Sequence, residues 1–487
     1  MLISRICSVF VLVVVLVLVL APTGHTVAQL SGDHSAPRPA SSPEMHQRLA
    51  GSAFLDNAGY DVLRRLSDEA GGRWIGSVEN ERGMQILEEE LRRHGLTPRR
   101  ETFSVPGWRR GDDEVRLVSP ADRVLRVAAL GYVDATPAFE ADLAWMNRGT
   151  AEDFDSLQCE GRIALVTQEA QPGRETPLRS EVIRVAAEAG ARAVLFINDR
   201  KGGQLLCGMG NFQGEAAPVP AFSMTWEEGM RLHRLIDAGV PVRMRVTTHS
   251  RCVPVESANI VCTLPGRSSE KVIVGAHFDS WDIGQGSVDN GVGTALLFDI
   301  ARMLATLSPE NERTVEFVWF NGEEMGLWGS RRYVEAHRDD AIVAMINMDM
   351  TGSPRGFSAM GNDHFLPLLE ELCAELRGYD MSRGVINALW TNSDHQPFML
   401  AGFPTITPLG HLDRETVTTY HDFGDTFDLV NKRYLSEASG VVSILAFELA
   451  NRISVPVVRR TAAETAAYLR AGGLEQRLRR QGEWPFD

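Results

Sequence analysis

From position 271 onward the chain alternates between two patterns. Unbroken apolar runs, KVIVGA, TVEFVWF, AIVAMINM and FPTITPL, are separated by stretches in which apolar residues return every three or four positions, as Leu296, Ile300 and Leu304 do in GTALLFDIARMLATL. A short continuous apolar run suits a strand buried on both faces, and the 3.6-residue period suits a helix lying on it. Further helices are expected near residues 365–377 and 434–451. The alternation predicts an α/β fold, a mostly parallel mixed sheet with helices on both faces.

Earlier, SVENERGMQILEEELRRHGL places Met84, Leu87 and Leu91 on one helical face, with Gly95 as a stop. The texture then changes. GRIALVTQ reads as a strand, SEVIRVAAEAGARAVLFIND as helix, glycine stop and strand, and TWEEGMRLHRLIDAG as a helix whose Thr225 and Glu228 have capping-box spacing. This stretch holds no ligand cluster, so it reads as a smaller α/β unit inserted into the main one. The expected division is residues 49–118 and 255–452 for the main domain and 119–254 for the insertion. The tail, 453–487, carries helix formers and arginines around Gly472 and Gly473, the pattern of a surface helix or of a partly disordered segment.

Residues 1–28 run from Arg5 through VFVLVVVLVLVLA to Thr26, Val27 and Ala28, a signal-peptide pattern. The apolar run is short of the ~20 residues that span a bilayer, so an exported protein, secreted or periplasmic and without a stable membrane span after cleavage, is expected. Residues 29–48, rich in Ser, Pro, Ala and His, read as a flexible leader without a fold. At 487 residues, 44% hydrophobic and 23% charged, the chain has the balance of a folded protein of two units. A net charge of −15 excludes the basic stripe of a nucleic-acid binder. Export permits disulfides among Cys159, Cys207, Cys252, Cys262 and Cys373; Cys252–Cys262 and Cys159–Cys207 are options, and buried free thiols are the alternative.

The chemistry gathers where strands end. His277 and Asp279 follow the first run, Glu323 and Glu324 the second, and Asp349 the third. Ligands of such sheets bind beyond the carboxyl ends of the strands, so these groups meet at one rim. Two like charges about 4 Å apart repel by roughly 4 kcal/mol at an effective dielectric near 20, and four or more carboxylates would meet there. A cation is therefore required, and carboxylates with imidazole favour zinc or manganese over magnesium.

The segments HFDSWDIGQGSVDNGVG, NGEEMGLWGS, INMDM and YHDFGDT, in that order, resemble the co-catalytic di-zinc exopeptidases, the family of bacterial leucyl aminopeptidases and glutamate carboxypeptidases. SWDIGQG most resembles the plasma glutamate carboxypeptidase branch. The insertion resembles a protease-associated domain. The resemblance implies two zinc ions per chain, one held by His277 and Asp349, the other by Glu324 and His421, with Asp289 bridging. It further implies Glu323 as general base, Asp279 as hydrogen-bond partner of the far nitrogen of His277, and Tyr420 as an oxyanion donor or simply a packed ring. The implied substrates are short peptides, cut by aminopeptidase or dipeptidase action. A single-zinc glutaminyl cyclase with Asp289, Glu324 and His421 as ligands is the alternative enzyme, and a non-catalytic binding relative the alternative without chemistry. Intact His277 and Asp349 speak against the first and the retained Glu323 against the second. In TNSDHQPF, also similar to a family motif, Ser393, Asp394 and His395 are expected to make structural hydrogen bonds. His337, His364 and His411 are expected in surface or capping roles. The insertion could roof the pocket, mediate a homodimer or act as a spacer.

Overall fold

The computed structural model describes residues 42–452 and 454–486. The expected signal segment and residues 29–41 lie outside these. The rest of the expected leader does fold: the helix Ser42–Leu55 buries Met45, Leu49 and Ala53, a spacing of four that sets one apolar stripe against the helix Lys432–Asn451.

Two eight-stranded sheets carry the fold. In the first, the strand Gly266–His277 lies between Asn311–Phe320 and Ile342–Asn347 and runs parallel to both; Thr405–His411 continues the parallel run beyond Ile342–Asn347. Antiparallel neighbours flank this centre, so the sheet is mixed. Every residue of Ile342–Asn347 is buried, as the unbroken apolar run requires. Successive side chains point to opposite faces. One face of the sheet meets the helices Val292–Leu307 and Lys432–Asn451. Ile273, Val318 and Phe320 pack instead with Tyr333 of Trp328–Ala336 and Phe398 of His395–Leu400.

The second sheet is an excursion from the first. Strand Arg99–Arg109 pairs antiparallel with Arg251–Leu264 in a register that joins Arg109 to Arg251, and residues 110–250 leave and rejoin the main sheet at that point. Their sheet has a parallel centre of Thr136–Trp145, Ile163–Thr167, Ala193–Ile197 and Ala221–Met224. Asp113–Ser119, placed in the main unit by the sequence boundaries, is a strand of this second sheet, paired with Arg243–Thr248. At the other boundary, Val253 and Pro254 lie in the main sheet.

The tail is ordered by packing rather than left on the surface. Helices Ala462–Ala471 and Glu475–Arg480 bury Leu469, Leu474 and Leu478 against Met360 and Met399. Among the described residues, all five cysteines are free and no helix is long and apolar enough to cross a membrane. The free-thiol alternative is thus the one the fold adopts.

Candidate metal centre

His277 is the last residue of Gly266–His277, and Asp289 sits in the wide helical turn Ser287–Gly291 that leads into Val292–Leu307. Glu323 and Glu324 follow Asn311–Phe320, Asp349 follows Ile342–Asn347, and His421 lies in the loop after Arg414–Thr418. The fold brings five of these side chains into two groups, His277–Asp289–Asp349 and Asp289–Glu324–His421, with the donor atoms of each within 4.8 Å of one another. Asp289 belongs to both. Its Oδ1 is 3.2 Å from His277 Nε2 and its Oδ2 is 3.0 Å from His421 Nε2. His277 Nε2 is 3.5 Å from Asp349 Oδ1, and His421 Nε2 is 3.0 Å from Glu324 Oε2.

The donor set fits divalent cations. Ligands ~2.1 Å from a tetrahedral ion stand ~3.4 Å apart, close to the 3.0–3.5 Å of the pairs above. Glu324 Oε1 is buried with no hydrogen-bond partner, an acceptor left over by the protein. Without an ion, the cluster holds protons more tightly to offset its many acids. Burial pushes Glu324 up to about 7 against the pull of His421. Burial lowers His277 and His421, but the Glu323 charge and contacts with Asp289 and Asp349 for the first, and Glu324 and Asp289 for the second, outweigh it and hold both imidazoles well above their usual value. Desolvation opposes the charged form of Asp289, yet its hydrogen bonds to both histidines win and hold it below the usual carboxylate range.

Glu323 belongs to neither group but lines the same cavity, of about 380 Å³. Burial, reinforced by Glu324, Asp349 and Asp394 and opposed by His277, holds its carboxyl well above the ordinary value. Asp279 departs from its expected contact. The far nitrogen of His277, Nδ1, meets the backbone carbonyl of Asp279 at 3.1 Å, while the nearest carboxylate oxygen is 3.8 Å away. The carboxylate instead accepts the backbone N–H groups of Glu323 and Glu324, at 3.0 and 3.2 Å. Those two amides follow a strand end and lack ladder partners, so the buried carboxylate satisfies them and fixes the turn that points the two glutamates apart.

Tyr420 stacks under the Arg200 guanidinium at 4.3 Å and is not among the residues lining the cavity. Ser393 and His395 make the expected hydrogen bonds: Asn347 Nδ2 reaches Ser393 Oγ at 2.8 Å, and His395 Nε2 meets the Trp390 carbonyl at 2.9 Å. Burial lowers His395 to about 4, so it is neutral. Asp394 differs. Both its oxygens are buried with Ser330 as a polar neighbour, and burial, opposed by His277 and Ser330, raises its carboxyl to about 7. Of the other histidines, His337 caps the helix Trp328–Ala336, His364 falls in the short turn Asp363–Phe365, and His411 is exposed.

Two supporting residues carry no signal in the periodicity. Arg73, fully buried, donates to the carbonyls of Gly71, Phe278, Gln285 and Gly286, tying together both ends of the loop that carries Asp279. Asp425 accepts the backbone N–H of Val288 at 2.7 Å and of Asp289 at 3.0 Å. The YHDFGDT motif contains Asp425, but only the fold shows that it reaches the other ligand loop.

A parallel-centred sheet with paired acid–imidazole donor groups at its carboxyl rim and an unligated glutamate beside them defines an α/β metallohydrolase. Residues 259–446 match the family model described as Peptidase family M28, and residues 127–232 match the PA domain. The chain thus carries a region similar to peptidase family M28 and, ahead of it, a region similar to the PA domain. It is 25% identical over 412 residues to carboxypeptidase Q of Bos taurus, covering 81% of this chain and 86% of that protein. It is 24% identical over 425 residues to aminopeptidase YwaD of Bacillus subtilis strain 168, covering 83% and 87%. Among solved structures it is similar to a peptidase M28 precursor from Shewanella amazonensis, with a TM-score of 0.76 at 22% identity over 86% of this chain and 99% of that one. It is also similar to BSAP, a zinc aminopeptidase from Bacillus subtilis, with a TM-score of 0.66 at 21% identity over 83% and 96%.

Proposed function

We propose that this chain is an exported zinc-dependent exopeptidase that cuts short peptides by amino- or dipeptidase action. The observation that carries the reading is the pair of donor groups sharing Asp289, with Glu323 left unligated in the cavity beside them. His277, Asp289 and Asp349 would hold one zinc ion and Asp289, Glu324 and His421 a second. When bound, such ions lower the pKa of water toward neutrality and polarise a carbonyl. Glu323 accepts the proton of the attacking water and returns it to the leaving amine. Asp279 acts one step back, holding the turn so that Glu324 faces the donor groups and Glu323 the substrate. Trp281 and Leu327 line the same cavity and limit water there.

Two complete donor groups favour a two-ion enzyme over a single-zinc cyclase, and the presence of Glu323 favours catalysis over simple binding. Export rests on the N-terminal pattern, and N-terminal sequencing of the mature protein tests it. Purified protein assayed with dipeptides and blocked peptides, with and without chelator, beside elemental analysis, tests the whole reading. About two zinc ions per chain and chelator-sensitive peptide hydrolysis are expected. One ion with cyclisation of amino-terminal glutamine, or no metal and no turnover, overturns it.

A further inference from the structure

The inserted unit has a cavity of its own, apart from the one at the candidate metal centre. It opens at the carboxyl ends of Thr136–Trp145 and Ile163–Thr167, parallel neighbours in the second sheet, and holds about 650 Å³. Parallel sheets place ligands beyond that rim, and the volume falls within the ~300–1,000 Å³ of small-molecule sites. Trp145, Arg148, Thr150, Glu152, Thr167 and Arg174 are in its wall.

Arg148 is held there by its backbone. The turn that carries it stays paired to the neighbouring strand: Met146 N–H donates to the Leu165 carbonyl at 2.9 Å and Thr167 N–H to the Asn147 carbonyl at 2.8 Å. On either side of Arg148, Asn147 and Gly149 have φ of +48° and +70°, and a Cβ at Gly149 would come within 2.6 Å of Val182. Only 7% of Arg148 is exposed. Its Nη2 donates to the Glu175 carbonyl at 2.8 Å and its Nε is buried with no partner. Among the described residues it has no other side-chain hydrogen bond and no ion pair. A guanidinium taken out of water without a counter-charge is costly, so the site is built for a charge that the protein does not supply.

The nearby acids are committed elsewhere, with one exception. Asp153 accepts from Asn147 Nδ2 at 3.0 Å and from the N–H and hydroxyl of Thr150 at 3.0 and 2.9 Å, and Glu175 turns its carboxylate to Arg480 at 2.6 Å. Glu152 is exposed, and among the described residues its carboxylate has no partner; the same holds for the Arg174 guanidinium. Two unpaired guanidiniums on one cavity are matched in shape and charge by a carboxylate. Glu152 offers an ammonium its partner, and Trp145, its ring centroid 3.9 Å from that of His233, offers apolar surface. Carboxylate, ammonium and apolar side chain together outline a free α-amino acid.

We propose that this cavity binds a free α-amino acid, with its carboxylate on Arg148 and Arg174 and its ammonium toward Glu152. The site stands independently of the exopeptidase reading, under which such molecules are the products released.

Calorimetry on the native zinc-loaded protein and on Arg148→Gln, under the same conditions, tests this. The catalytic cavity is common to both, so the difference between the two isotherms belongs to the second site. Leucine is expected to bind there, and leucinamide, which lacks the carboxylate, about tenfold or more weakly, the range of a hydrogen bond to a charged group. Arg148→Gln should lose that binding while melting like the native protein. Arg174→Gln, at an exposed position, should weaken leucine several-fold and serves if Arg148→Gln does not fold. Glu152→Gln should weaken leucine but not isocaproate, which has no ammonium, and equal losses for the two would overturn the role of Glu152. Native crystals soaked in leucine should show it against Arg148. Identical isotherms for native protein and Arg148→Gln, equal binding of leucinamide, or binding of inorganic phosphate in place of leucine would overturn the site.

Discussion

Cys207 holds His421 from two directions: its backbone N–H donates to the His421 carbonyl at 3.0 Å, and its own carbonyl faces His421 Nδ1 at 3.3 Å. The first belongs to the inserted unit and the second to the main one. With Nδ1–H spent on that carbonyl, Nε2 is the nitrogen turned toward Asp289 and Glu324, the one that would bind an ion. His421 has φ of +57°, a conformation costly for a residue with a Cβ, and the insertion supplies the contacts that hold it. Arg200 adds hydrogen bonds to the carbonyls of Thr418 and Tyr420, and Asp422 accepts the Leu205 N–H at 2.6 Å. The insertion therefore helps to build the candidate metal centre as well as to wall the cavity.

Arg200→Ala should accordingly weaken one metal ion without touching a ligand. Loss of an outer contact of this kind costs about 10- to 100-fold in metal affinity. Competition with a chromophoric chelator should show one of two sites weakened and the other little changed. Equal affinities in variant and native protein would show that the loop holds its shape unaided.

Asp289→Ala removes a donor from both groups at once. After dialysis the variant should retain few or no ions and no activity, by elemental analysis beside a peptide assay. Unchanged occupancy would contradict the bridge.

The tail is held by core packing. Leu478 is fully buried with Met360, Met399, Leu469 and Leu474, and Leu478→Ala should cost about 2–4 kcal/mol, the usual range for such a cavity. Urea unfolding measures it. A loss under about 0.5 kcal/mol would mean that the tail unfolds separately from the main domain.

His337 carries a pH-dependent contribution to stability. Hydrogen bonds to Glu101 and Asp340 raise its pKa above the ordinary 6.5, against the opposing effect of burial, with Glu316 adding to the rise and Lys271 bound to the same Asp340. A group whose folded pKa is raised stabilises fully below its unfolded value and ceases to do so as pH climbs through the folded one. His337→Gln should therefore be less stable than the native protein by on the order of 1 kcal/mol at pH 6, with the gap closing at alkaline pH. Melting curves across pH 6–9 check this, and a gap that widens with pH would contradict it.

Much of this was legible in the chain. Strand centres such as Ile342–Asn347 are buried on both faces and so wear an unbroken apolar run, and the candidate donors at strand ends follow those runs directly. Contacts set by tertiary pairing were not legible. Arg73 reads as an ordinary charge in GGRW until three distant carbonyls converge on it, and Asp279 reads as a partner of His277 until the amides of Glu323 and Glu324 compete for its carboxylate. The helix Ser42–Leu55 was hidden by a polar, proline-bearing start, because its three buried residues acquire meaning only against Lys432–Asn451. The cavity wall drew on the insertion and the tail, which hold no ligand motif at all.

The most direct test of the central claim is the metal content and turnover of Glu323→Gln, measured on one preparation. The variant should keep about two zinc ions per chain while hydrolysis of a good dipeptide falls by roughly 10²–10⁴-fold, because a proton acceptor is lost and no ligand is touched. A variant that works at the native rate, or that sheds its zinc along with its activity, would contradict the division between ligands and base.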